Sequence, residues 1–244
     1  MKILEIIAHC NPQEDSSSHK LAFAAKEAFT SKGNEVQIVD LLKDNFTAFP
    51  TKDDFIDKAA TAKEFDYFGA GANPDNLIPE IKEQQKKLLW ADYIIVYAPV
   101  WWYNLPGCLK NYMDRVFTLG FAFDDSKPRE QLPLHGKKIM IVITTGAPEE
   151  FYSSKGAIAS IEGLLYNYTY TFYQVGLDVL RSQGFCRFSP RHPVTPDLIE
   201  KFQKAVLNIE KRPLLNFVPE GDTQNNLKIL ADLPNYTLDE AIAA

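Results

Sequence analysis

Three short stretches hold residue types whose spacing suits chemistry. The most informative runs Pro99-Val100-Trp101-Trp102-Tyr103-Asn104-Leu105-Pro106. Three consecutive large aromatics cannot all enter one core, because neighbouring side chains of a loop point in different directions. Pro99 and Pro106 restrict the backbone at both ends, so the loop is a stiff aromatic wall on which a planar ligand could stack. Filling an edge of the core is the plainer use of the same rings. The second stretch, His9 to His19, offers Asn11, Pro12, Asp15, Ser16, Ser17 and Ser18 just ahead of a helical run. Hydroxyls and free amides at a helix N-terminus make a phosphate cradle; the simpler alternative is that one serine only caps the helix. The third stretch is Thr144, Thr145, Gly146, Ala147 and Pro148, leading through Glu149 and Glu150 to Tyr152. Gly146 lets backbone N–H groups approach a ligand edge, and Tyr152 can donate a phenolic proton to an oxygen that gains negative charge.

Other chemistries find no support. There is no G-x-G-x-x-G and no glycine-rich P-loop, which weakens the dinucleotide fingerprint and triphosphate hydrolysis. Without a G-x-S-x-G elbow, and with four scattered histidines, a serine nucleophile with His and Asp partners is set aside. His135 and His192 sit beside Gly136 and Pro193 in apparent loops, so no metal site is expected. Cys10, Cys108 and Cys186 are an odd number without metal-ligand spacing, which points to buried thiols in a reducing, cytoplasmic compartment. The 26 basic against 32 acidic side chains give a net charge of −6, which argues against nucleic-acid or anionic-membrane partners. The apolar start, Met1 to Ala8, is too short for a secretory segment. The longest apolar run, Tyr93 to Tyr103, is broken by Pro99 and far below the ~20 residues of a spanning helix, so the protein is expected to be soluble.

The elements that must position these loops are legible as alternating periods. Ile3 to Ala8, Tyr93 to Ala98 and Ile139 to Thr144 are apolar on both faces, as central parallel strands are. Glu35 to Asp40 is a fourth strand after a helix from Leu21 to Ser31, and Leu177 to Phe188 contains a fifth. Leu109, Tyr112, Met113, Val116 and Phe117 form the apolar stripe of a helix opened by Pro106. Ala157 to Val175 reads as one long aromatic helix and Pro196 to Lys211 as a closing one. The alternation predicts an α/β fold, doubly wound around a mostly parallel five-stranded sheet. One domain over residues 1–211 is expected, with an insertion-like stretch from Phe46 to Gly71 and a C-terminal extension, 212–244, packed on the domain or on a partner subunit. The rings of Tyr166, Tyr168, Tyr170, Phe172 and Tyr173 exceed what one side of a sheet covers, and a homodimer would bury the remainder. In such sheets ligands bind beyond the carboxyl ends of the strands, where the three loops lie.

These residues carry a resemblance. His9 in a strand-end loop, Ala98-Pro99-Val100-Trp101-Trp102-Tyr103-Asn104-Leu105-Pro106, Leu109-Lys110, Asp114-Arg115-Val116-Phe117, Gly120-Phe121-Ala122-Phe123, and Thr144-Thr145-Gly146 through Tyr152-Ser153 together resemble the flavodoxin-like NAD(P)H:quinone oxidoreductases of the DT-diaphorase type. The likeness covers about residues 1 to 210 and is close to absent in the tail. It implies a flavin with its phosphate end by His9, Ser18 and His19 and its ring on Val100, Trp101, Trp102 and Tyr103. Thr144, Thr145, Gly146 and Ala147 would face the ring's polar edge, with Tyr152 at the locus where the reduced ring gathers charge. A planar acceptor would lie among Trp102, Tyr103, Phe123, Asp125 and Gly146. The implied reaction is two-electron reduction of a quinone by NAD(P)H, ping-pong through one pocket. FAD is favoured over FMN by the long insertion before the third strand.

The chain departs from the family pattern at several of these positions. Ile158 stands where family members have a histidine six residues after the tyrosine. Ala147 replaces a second glycine, and Phe123 and Asp125 replace tyrosines of the acceptor pocket. Ser18 and His19 stand where an aromatic and an asparagine are usual. A flavin-binding electron carrier, a nicotinamide- or flavin-sensing regulatory subunit, and an azo or nitro reductase are the alternative readings.

Overall fold

The computed structural model describes residues 1–57, 66–189, 191–218 and 225–244. Four strands form most of the sheet: β1 (Lys2–Ile7), β2 (Glu35–Asp40), β3 (Tyr93–Pro99) and β4 (Lys138–Thr144). Two shorter ones, β5 (Asp178–Val179) and β6 (Gln183–Phe185), both lie beside β4. All pairings are parallel and the order is β2-β1-β3-β4-β5, with β6 also on β4. Along β1, Ile3 and Ile7 point to one face and Leu4 and Ile6 to the other, and both sets are buried. Helices α1 (Ser17–Ser31) and α7 (Pro196–Leu207) close the first face, packing Leu21, Phe29, Phe202 and Val206 on Ile95 and Tyr97. The second face is covered by α3 (Pro79–Trp90), α4 (Gly107–Val116) and α6 (Tyr166–Gln174), which bring Leu88, Leu109, Met113 and Phe172 onto Ile94, Val96 and Ile141.

The expected single fifth strand is two, so among the described residues the sheet has six strands where five are read from the sequence. After Leu180, whose N–H still donates to Ile139 O of β4 at 2.8 Å, Arg181 and Ser182 leave the ladder because their backbone has other partners. The Arg181 N–H donates to Pro213 O at 2.9 Å, and the Ser182 N–H donates to the buried Glu162 carboxylate at 2.8 Å. The long helix expected over Ala157 to Val175 is likewise interrupted. Residues 157–160 fold back, with the Ile158 N–H donating to Phe151 O, and Ser160 then caps the short α5 (Ile161–Leu164) before α6.

The insertion-like interval is described in part. Its short helix α2 (Tyr67–Gly71) brings the Tyr67 hydroxyl to Asp54, 2.8 Å away. Asp54 also holds the buried Arg115 of α4 at 2.7 Å, which fixes the insertion to the helix following the aromatic loop. The extension lies on its own chain. The Leu215 N–H donates to Val179 O, α8 (Asn226–Ala231) packs on α5, and α9 (Leu238–Ala243) packs on α7. Phe217 stacks on Tyr173 at 4.7 Å and lies 5.9 Å from Tyr170, so the extension covers part of the aromatic helix face from within the chain. Among the described residues no helix is long and apolar enough to cross a membrane.

Candidate functional site

Because every strand runs in one direction, the loops after β1, β3 and β4 gather at one edge of the sheet. The middle loop is a tight turn. The Trp101 N–H donates to Asn104 O at 2.9 Å and the Asn104 N–H returns to Trp101 O at 3.0 Å. The two central residues, Trp102 and Tyr103, have φ of 51° and 60°. Such a turn normally takes Asn or Gly, and bulky aromatics in the left-handed region are strained. The base is pinned from three sides. Val100 N–H donates to Thr144 O at 2.8 Å, and Asn104 Oδ1 accepts from Leu105 N–H and from the Tyr168 hydroxyl, at 2.8 and 2.9 Å. Trp102 consequently stands out, 94% exposed, with Tyr103 at 65%.

One side of the turn faces a cleft of about 370 Å³ lined by Val100, Trp102, Tyr103, Thr145, Gly146, Ala147, Tyr152 and Ile158. The Thr145 N–H is committed to Phe185 O and the Ala147 N–H to Thr145 Oγ1. Gly146 is therefore the loop's approach to a ligand edge. A Cβ there would lie 3.7 Å from Phe188 O, an ordinary contact, so packing within the chain does not demand the glycine. The Tyr152 hydroxyl meets the Thr145 hydroxyl in a short hydrogen bond. Burial pushes the phenol's pKa up, which keeps it protonated and able to donate. Ile158 lines the same cleft as Tyr152, and its side chain offers no proton.

The other side of the turn faces a cleft of about 490 Å³ lined by His9, Asn11, Asp15, Ser16, Ser17, Lys20, Trp101, Thr144 and Phe188, among others. His9 and Trp101 meet edge to face with ring centres 5.3 Å apart. Burial, with neighbouring His19 second, lowers the His9 pKa. Its Nδ1 accepts from the Asn11 N–H at 3.0 Å, so the neutral ring carries its proton on Nε2. Ser18 and His19 lie beneath the cleft and not on its wall, at 1% and 0% exposure. The wall position belongs to Ser16, which His19 orients: His19 Nδ1 lies 2.6 Å from Ser16 Oγ, and His19 Nε2 lies 3.1 Å from Asp40. Since the Asp40 carboxylate accepts from Nε2–H, Nδ1 accepts a hydrogen bond from the Ser16 hydroxyl.

This Ser16–His19–Asp40 line joins residue types set aside on spacing alone, because Asp40 comes from the end of β2 and only the fold brings it under α1. Lys20 and Phe188 line this cleft unannounced by any motif, alongside Asn11 of the expected stretch. Two expected acceptor residues are not gathered with the others. Phe123 lines a separate apolar groove with Phe68, Met113 and Phe117, and Asp125 is exposed on the adjoining loop.

Comparison with known proteins agrees with this geometry. Residues 1–209 match a family model described as the flavodoxin-like fold. The chain is 30% identical over 225 residues to NAD(P)H dehydrogenase [quinone] 1 of Cavia porcellus, covering 90% of this chain and 81% of that protein. Two solved structures share the fold: an NAD(P)H:quinone oxidoreductase from Methanothermobacter marburgensis, and an FMN-dependent NADH-azoreductase from Bacillus anthracis in complex with FMN. The first has a TM-score of 0.61 and 19% identity, covering 86% of this chain and 96% of that one. The second has a TM-score of 0.57 and 18% identity, covering 86% and 99%. With clefts on both sides of an aromatic turn at the carboxyl edge of a parallel sheet, and with this relationship, the chain belongs to the flavodoxin-like family of the NAD(P)H dehydrogenases (quinone).

Proposed function

We propose that the protein is a flavin-dependent oxidoreductase that reduces a quinone or similar planar acceptor with NAD(P)H by two electrons, in a ping-pong cycle through one pocket. The observation that carries this reading is the aromatic turn, in which Trp102 is held exposed at a strained positive φ between two clefts. A structural role would have buried the ring. The residues present fit an elongated ligand with an anionic end and a planar end. His9, Ser16, Ser17 and Lys20 supply donors at the N-terminus of α1, and the Ser18 hydroxyl close beneath them is buried without a partner. Trp101, Trp102 and Tyr103 supply stacking surface, and Gly146 and Tyr152 supply an edge that donates hydrogen bonds.

When bound, the flavin supplies the two-electron chemistry that no side chain here provides. The chain's own part is to bind, orient and exclude water. Trp102 and Tyr103 with Val100 bound the stacking space, and protonated Tyr152 hydrogen-bonds to oxygen that gains negative charge. FAD is the form we favour, because of the long insertion before β3. We further propose a cytoplasmic homodimer, supported by the apolar groove of Phe68, Phe117 and Phe123, with Phe68 58% exposed. Azo and nitro compounds are a second acceptor class, since stacking recognises planarity before it recognises a quinone.

The deciding measurement is the visible spectrum of the purified protein, followed anaerobically as NADH or NADPH is added. A yellow protein that bleaches, and recovers its colour with a quinone, is the expected result. A colourless protein that takes up neither FAD nor FMN overturns the reading.

A further inference from the structure

The residue that fixes the Tyr152 loop comes from the part of the chain with least likeness to the family. Asn235 lies in the extension, between α8 and α9, yet its side chain bonds both stems of the loop that closes the cleft. Its Nδ2 donates to Tyr152 O at 2.5 Å, 83 positions away in the chain, and its Oδ1 accepts from the Ile161 N–H at 3.1 Å. One amide thus spans residues 152–161, the segment that holds Tyr152, Ala157 and Ile158 against the stacking space. Inside the segment the Ile158 N–H donates to Phe151 O and the Gly156 N–H to Ser153 O. A Cβ on Gly156 would collide with Phe151 O, so the loop is tight and has little freedom except at its two stems.

The extension itself is well anchored. The Tyr236 ring lies under the guanidinium groups of Arg212 and Arg181, 4.5 and 5.8 Å from the ring centre. Arg181 also donates to Pro234 O and pairs with the buried Glu162 at 3.1 Å. The Ser160 hydroxyl donates to Leu230 O at 3.2 Å, which adds a second tie near the far stem. Asn235 is therefore the contacting end of an anchored strap, and its two bonds set where the Tyr152 carbonyl, and with it the ring, can lie.

We propose that Asn235 is a positioning residue for the reaction, holding Tyr152 at the depth from which its hydroxyl, paired with Thr145, serves the cleft. This rests on the functional reading given above. It differs from simple tail packing in that the effect must pass through Tyr152.

The test uses the full-length protein, with Asn235→Ala and the isosteric Asn235→Asp. The carboxylate of the second variant can accept from Ile161 but cannot donate to Tyr152 O, so it removes one bond with little change of shape. Amide hydrogen exchange, read by mass spectrometry without added cofactor, is expected to rise about tenfold over residues 149–160 in both variants, with β3 and β4 unchanged. Asn208→Ala, which removes bonds from α7 to α9 at 3.1 Å, should loosen the tail end and leave 149–160 as it was. In flavin-loaded protein, Asn235→Ala should slow flavin reduction by NAD(P)H about tenfold, lowering kcat more than it changes KM, and should add little in a Tyr152→Phe background. Unchanged exchange over 149–160, or an equal slowing with and without the Tyr152 hydroxyl, overturns the proposal. If the protein takes up no flavin, the functional reading fails, and the exchange result alone decides whether Asn235 holds the loop.

Discussion

Tyr152 is placed to donate, not to ionise. Burial raises its pKa, and the nearest polar group, the Thr145 hydroxyl, is itself neutral. Removing the phenolic oxygen should therefore slow the step in which negative charge builds on the ligand while leaving ligand affinity almost unchanged. For Tyr152→Phe we expect flavin reduction to fall by up to ~10²-fold, as loss of one positioned donor typically produces. Stopped-flow reduction alongside a flavin titration checks both halves. Because Ile158 cannot share a proton, no titration of a Tyr–His pair should appear in the pH profile of that step. At this scale the sequence was informative where a residue type is odd for its place, as with three adjacent aromatics between prolines. It was silent where function depends on a distant partner. Asp40 under His19, Asn104 under the Tyr168 hydroxyl, and Asn235 on Tyr152 are ordinary polar residues in ordinary contexts, and only the folded chain gives them roles.

Among the elements, the central strands were readable because burial on both faces leaves an uninterrupted apolar run, and β2 was read with the bounds it has, Glu35–Asp40. The fifth strand and the aromatic helix were not, because their breaks come from Glu162, Arg212 and the extension, which compete for backbone groups that local sequence would assign to regular structure. β1 carries one residue that breaks its own pattern. Glu5 is fully buried, one of its oxygens has no partner, and the Tyr97 hydroxyl donates weakly to the other from 3.4 Å. Burial pushes its pKa well above the usual carboxylate range, outweighing Tyr97 and Lys26. A carboxyl raised in the folded state favours folding below its unfolded pKa, and that contribution is lost as pH climbs through the folded value. Glu5→Gln should therefore flatten the fall in stability on the alkaline side and raise Tm at pH 8. Each kcal/mol gained corresponds to roughly 2–4 °C for a chain of this size. Thermal unfolding at pH 5 and pH 8 distinguishes this from a general repacking effect, which would shift both equally.

For the molecule as a whole, the assembly proposal now stands on a different surface from the one the sequence suggested. The aromatic helix is partly covered by Phe217 and by Arg129, whose guanidinium lies 4.5 Å from the centre of the Tyr173 ring. An apolar groove that stays open among the described residues is lined by Phe68, Phe117 and Phe123 beside α4. A dimer at micromolar concentration by light scattering is expected, and Phe68→Glu should shift it toward monomer without lowering Tm of the monomer. A monomeric mass for the unaltered chain would count against the groove as an interface.

The aromatic turn sets stability against function. A non-glycine residue held in the left-handed region typically costs about 1–3 kcal/mol, and Trp102 and Tyr103 adopt it side by side. Neither ring recovers that cost through burial, so the empty protein would be more stable without them. Trp102→Gly should accordingly raise Tm while weakening flavin retention. A selection that scores only thermal endurance would drift toward glycine and asparagine at both positions, and the sturdiest descendants of this chain would be colourless.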